Sequence, residues 1–123
     1  MSTIKLDLGE GLSMTVTLYG LKNCDTCKKA IKGLEAAGKA VTFVDIRAEA
    51  DLSKLVPKWL SAAGEERLVN RRSTTWRALS ESQRASDPLA LLTANPTLIK
   101  RPVVEVDEAV YVGWAKDVQS ALL

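Results

Sequence analysis

Hydrophobic and polar positions divide the chain into short segments of two periods. Thr15-Val16-Thr17-Leu18-Tyr19 is β-branched and aromatic and predicts a strand, with Gly20 to Asn23 as a short loop after it. From Asp25 the period lengthens. Cys27, Ala30, Ile31, Leu34 and Ala37 recur at helical spacing, with Lys28, Lys29, Lys32 and Glu35 on the opposite face. Gly38 is placed to end that helix as a C′ residue. Val41 to Ile46 predicts a second strand, so strand, helix and strand form a βαβ unit with a parallel pair.

The middle of the chain, Asp51 to Leu92, predicts helices. One starts at Asp51 or Leu52-Ser53, carries Leu55, Val56, Trp59 and Leu60, holds Pro57 near its first turn and stops at Gly64. A short turn of helix spans Glu66 to Asn70. Ser73-Thr74-Thr75 caps another around Trp76 and Leu79, and Asp87-Pro88 opens one that runs to about Ala94. Val103-Val104-Glu105-Val106 and Ala109-Val110-Tyr111-Val112 predict a hairpin turning at Asp107-Glu108, and a last helix covers Ala115 to Leu122. The order β-α-β, helical insert, β-β-α is an α/β arrangement, that of a thioredoxin-like fold with a helical insertion between its βαβ and ββα halves. Residues 15–123 are expected to form one domain. Residues 1–14 read as an extension that is loose or adds an edge strand through Ile4, Leu6 and Leu8.

Composition narrows the chemistry by exclusion. The 123 residues include no histidine, so Ser-His-Asp and Cys-His catalysis, a histidine base and histidine metal ligation are all ruled out. Only Cys24 and Cys27 are cysteines, half of the four ligands a structural zinc site takes, so no metal is expected. The net charge of +2 is too balanced to argue for direct nucleic-acid binding. No apolar run approaches a membrane span and no signal peptide is visible, which favours a cytoplasmic protein without membrane attachment.

In that compartment Cys24-Asp25-Thr26-Cys27 points to redox chemistry. Cys24 stands where a strand-loop gives way to a helix, and the exposed N–H groups there favour a thiolate. Lys22, Lys28 and Lys29 add positive potential. Cys27 lies one turn on, along the apolar face. It is either a resolving thiol or a small buried hydrophobe. Arg71, Arg72 and Arg101 are candidates to lower the thiol pKa and hold an oxyanion or carboxylate, against the plainer reading of a solvated basic face for Arg71 and Arg77.

The stretches "TLYGLKNCDTCKKAIKGL", "LVNRRSTTWRAL", "NPTLIKRPVVEV" and "VYVGWAKD" together resemble the arsenate reductase/Spx (ArsC-like) family over residues 15 to 123. The nearest subgroup is the small glutathione-dependent thiol reductase type. The resemblance implies a thioredoxin-like core with a helical insert and a nucleophile at Cys24. It implies supporting arginines at Arg101 and at Arg72, with Arg71 one position off, and a cis proline at Pro102. Catalysis is thus expected from Cys24, Cys27, Arg72 and Arg101, and binding from Lys22, Asn23, Arg71 and Pro102. Glutathione is the implied co-substrate, with no tightly bound cofactor. A small disulfide or an oxyanion is the implied substrate, glutaredoxin a candidate partner, and the chain a monomer. Family arsenate reductases carry a third arginine after the hairpin. Tyr111 to Lys116 contains none, and the cysteine loop reads "GLKNCDTCKKA"; both depart from the arsenate-reducing pattern and argue against arsenate, while the lysines leave room for an acidic thiol such as glutathione. A Spx-like redox-sensing interaction protein and a true arsenate reductase are the alternatives.

Overall fold

The computed structural model describes residues 15–123, and the readings made on residues 1–14 lie outside them. The elements run β1 (Thr15–Gly20), α1 (Asp25–Ala36), β2 (Ala40–Asp45), α2 (Leu52–Ala63), α3 (Glu65–Leu68), α4 (Thr74–Ala78), α5 (Glu81–Arg84) and α6 (Pro88–Ala94). A 3₁₀ turn (Pro96–Leu98), β3 (Val103–Val106), β4 (Ala109–Val112) and α7 (Lys116–Leu122) complete the chain. The four strands form one sheet in the order β2-β1-β3-β4. The β1–β2 pair is parallel, and the β1–β3 and β3–β4 pairs are antiparallel. This is a thioredoxin-like α/β fold, with α2 to α6 inserted between its two halves.

The period-2 alternation of the strands separates two cores. Val16 and Leu18 of β1 and Val104 and Val106 of β3 pack with Cys27, Ala30 and Leu34 of α1 and Val118 and Leu122 of α7. Tyr19 and Val103 belong to the other core, with Val56 and Trp59 of α2 and Leu91 and Leu92 of α6. The same alternation puts Glu105 on that second face, where its side chain is only 12% exposed. An acid there needs donors. Its carboxylate accepts hydrogen bonds from the Tyr19 hydroxyl (3.2 Å) and Trp59 Nε1 (2.8 Å) and pairs with Lys58 Nζ (3.2 Å). Burial and the neighbouring Glu105 charge push the Tyr19 hydroxyl up to about 12. This network ties α2 to the centre of the sheet.

The helix ends follow their local chemistry. Gly38 has φ +85°, its N–H bonds the Glu35 carbonyl at 3.0 Å, and the Lys39 N–H reaches Leu34 at 3.0 Å. That double bond is a Schellman motif, open to glycine because it lacks a Cβ. Ser73 accepts from Trp76 N (3.1 Å), and Asp87 accepts from Ala90 N (3.2 Å) ahead of Pro88. Two expectations are corrected. Pro57 sits inside α2, beyond its first turn, with its ring exposed. Helix α5 was not anticipated, although Ser80 and Gln83 form a capping box at its start. Among the described residues no helix is long and apolar enough to cross a membrane.

Candidate functional site

Cys24 is the N-cap of α1, in extended conformation (φ −89°, ψ 116°), and its N–H bonds the Leu21 carbonyl at 3.2 Å. It follows the end of β1 by a three-residue loop, so the strand sets where the sulfur stands. Cys27, one turn along, is 1% exposed. Its Sγ lies against the backbone of Gly20, where a Cβ would overlap it. Gly20 is therefore required for the helix to approach the strand this closely. Both thiols are free.

The two sulfurs have opposite electrostatics. Burial pushes the Cys24 thiol up, but the backbone N–H and thiol of Cys27 and the guanidinium of Arg101 outweigh it, and the net shift is downward. Burial pushes the Cys27 thiol up to about 12, and the neighbouring Cys24 adds to the rise. Cys24 is thus the more readily ionised of the two thiols, and Cys27, which keeps its proton, offers it as a donor. Arg101 Nη1 donates to the Thr97 carbonyl at 3.3 Å, while its buried Nε has no protein partner.

A cavity of about 500 Å³ opens at Cys24, lined also by Leu21, Asn23, Asp45, Arg47, Ala48 and Arg101. Asp45 ends β2 and Arg47 lies in the turn after it, both brought beside the cysteine loop because β2 pairs with β1 in parallel, Gly20 opposite Asp45. The turn is built. Asp45 Oδ1 accepts from Arg47 N (2.8 Å) and Ala48 N (3.1 Å), and Glu49 Oε1 accepts from Asp45 N (2.9 Å). Sequence reasoning missed Arg47. An Asp two residues before it was the available signal for an Asx turn, but that signal does not say what the turn faces.

Of the residues singled out in the sequence, Cys24, Asn23 and Arg101 meet at this cavity. Pro102 is buried behind a cis Arg101–Pro102 bond, and its carbonyl accepts from Gly113 N at 2.8 Å. Lys22 is exposed and lines a small separate cleft with Cys27 and Phe43. Arg71 and Arg72 do not join Cys24, which corrects their expected placement. Both line a second cavity of about 470 Å³ with Arg67, Asn70, Lys100 and Trp114. The reason is topological: the bridge Val69↔Ile99, with Asn70 N donating to Leu98 O at 2.8 Å, directs the chain after Asn70 into that cavity. Arg71 pairs there with Glu65 (3.6 Å) and Glu66 (3.7 Å) and lies over the Trp76 ring at 5.4 Å.

This arrangement can form a thiolate, hold it beside a cation and receive a reactant of moderate size. The ArsC family model matches residues 19–122. An uncharacterised Haemophilus influenzae protein is 39% identical over 86% of this chain and 97% of its own length. The solution structure of an arsenate reductase (ArsC) related protein from Brucella melitensis superimposes with a TM-score of 0.73 at 40% identity, covering 92% of this chain and 97% of that one. A global transcriptional regulator Spx from Staphylococcus epidermidis is 28% identical over 83% of this chain and 82% of its own length. With matches of this extent in sequence and in fold, the chain belongs to the ArsC family.

Proposed function

We propose that this protein is a glutathione-linked thiol reductase with Cys24 as its nucleophile. The observation that carries the reading is the setting of Cys24: a thiol at a helix start, lowered by the N–H and thiol of Cys27 and by the guanidinium of Arg101, opening on a cavity. The Cys24 thiolate attacks a disulfide of the form RS–SG, where G is the glutathionyl group. A Cys24–SG bond forms, RS–SG breaks, and RS⁻ leaves and takes a proton from water. A second glutathione thiolate then attacks the Cys24-bound glutathione sulfur, releasing Cys24 thiolate and glutathione disulfide. The substrate is reduced and glutathione oxidised, two electrons in all. Cys27 is buried and holds its proton to about pH 12, which favours a second glutathione over Cys27 as the resolving thiol.

Replacing Cys24 with serine removes the nucleophile, and turnover of a glutathionylated substrate is expected to fall about a thousandfold or more. Full activity in Cys24→Ser overturns the reading. Cys27→Ser is expected to keep a substantial part of the turnover when glutathione is present. A Spx-like sensor without turnover is the second reading, favoured by the CxxC and by the likeness to Spx. It predicts a disulfide-gated pull-down of a partner and no reduction of any small disulfide.

A further inference from the structure

Arg47 stands at the Cys24 cavity without an assigned task. It is exposed, and no carboxylate pairs with it among the described residues. Its two acidic neighbours in sequence are otherwise engaged. Asp45 caps the N–H groups of Arg47 and Ala48, and Glu49 caps that of Asp45. The turn therefore fixes the backbone of Arg47 while leaving its guanidinium to the cavity. Arg101, the other cation there, already serves the Cys24 sulfur and the Thr97 carbonyl.

We propose that Arg47 binds a carboxylate of the reacting disulfide or thiol and so makes the site selective for anionic over neutral and cationic sulfur compounds. This rests on the reductase reading and names its substrate class. The charge balance of the cavity supports it. With Cys24 as thiolate, Arg47 and Arg101 offset Cys24 and Asp45. Once the sulfur has entered a mixed disulfide its charge is gone. The cavity then carries a surplus positive charge at the moment it holds the covalent adduct. An anionic adduct is retained by that surplus and a cationic one is repelled. A guanidinium can meet a carboxylate with two parallel N–H bonds, which orients the ligand as well as attracting it.

The test measures single-turnover reaction of the reduced protein with three disulfides. These are glutathione disulfide (anionic), 2-hydroxyethyl disulfide (neutral) and cystamine (cationic). In each case the Cys24 thiolate forms a bond to one sulfur, and the other leaves as thiolate. The expected readout is a preference ratio. Arg47→Ala is expected to lower the anionic-to-neutral ratio about tenfold, the scale of one charge-assisted contact partly screened by water. Arg47→Lys should keep part of the ratio, and Arg47→Glu should turn the preference toward cystamine. A purely structural role for Arg47 would slow all three probes alike, and a ratio that survives Arg47→Ala overturns the assignment. Binding of unreactive S-methylglutathione to the Cys24→Ser protein, followed by NMR, decides the matter without chemistry. Shifts around Arg47 that vanish in the Arg47→Ala, Cys24→Ser double variant support it. Binding that is indifferent to Arg47, or no binding at all, overturns it. Failure of every disulfide to react would sink the reductase reading, while the NMR arm still judges Arg47.

Discussion

Two arginine-lined cavities of similar volume open on this protein, about 500 and 470 Å³, and they differ in how their cations are employed. At Cys24, Arg101 faces a sulfur and Arg47 lines the cavity with no ion pair among the described residues. In the other cavity Arg67 pairs with Asp117 at 3.3 Å, and Arg71 pairs with Glu65 and Glu66 and stacks on Trp76. Arg84 reaches the same ring from α5 at 5.4 Å and donates to the Trp76 and Arg77 carbonyls, so α4 and α5 are organised around Trp76. The first cavity leaves positive charge for a reactant. The second commits two of its four cations, Arg67 and Arg71, to ion pairs that tie the insert to α7 and hold it to itself. An arginine's function is thus read from its partners more than from its motif.

Substitutions can break or sharpen that contrast. The largest expected effect is on the scaffold of the first cavity. Gly20→Ala forces a methyl group into the Cys27 sulfur and should cost about 1–3 kcal/mol of stability in urea unfolding, as overpacked sites do. Adding Cys27→Ala should return part of that loss; strict additivity of the two would show that they do not touch. Next comes Arg101→Ala. It removes a cation that favours the Cys24 thiolate, so the pH profile of Cys24 alkylation should move to higher pH. The rate at neutral pH should fall about tenfold, with the two proteins converging in strong alkali where both are ionised. Arg101→Lys should lie between. An unmoved profile would separate Arg101 from the thiol. In the second cavity Arg71→Ala loses exposed ion pairs and one stacked ring, and should cost no more than about 1 kcal/mol. Arg72→Ala is expected to leave the Cys24 profile within about twofold. A large drop there would reunite the two cavities.

Much of this was readable beforehand, and the exceptions have a common cause. The strands, α1 and the Schellman end at Gly38 follow from contacts within a few residues, and so does the N-cap position of Cys24. Arg101 was legible because it precedes a proline at the entrance of a strand. Arg47 was not, because its approach to Cys24 depends on the parallel pairing of β1 with β2. Arg72 was misplaced because adjacency in a motif says nothing of the bridge at Val69 that turns the chain elsewhere. Glu105 drew no notice as an acid in a strand, since its donors lie 46 and 86 residues away, on Trp59 and Tyr19.

The proton that Cys27 retains beside the Cys24 thiolate bears on the reduction potential of the pair. Its donor interaction, like that of Arg101, exists only while both sulfurs are reduced. Any disulfide between them forfeits both interactions and also removes the charge that Arg101 faces. Stabilising the dithiol alone makes the corresponding disulfide more oxidising. Equilibration against glutathione buffers should therefore give a more negative midpoint for Arg101→Ala than for the unsubstituted protein. Such a pair favours its open dithiol form through its own electrostatics.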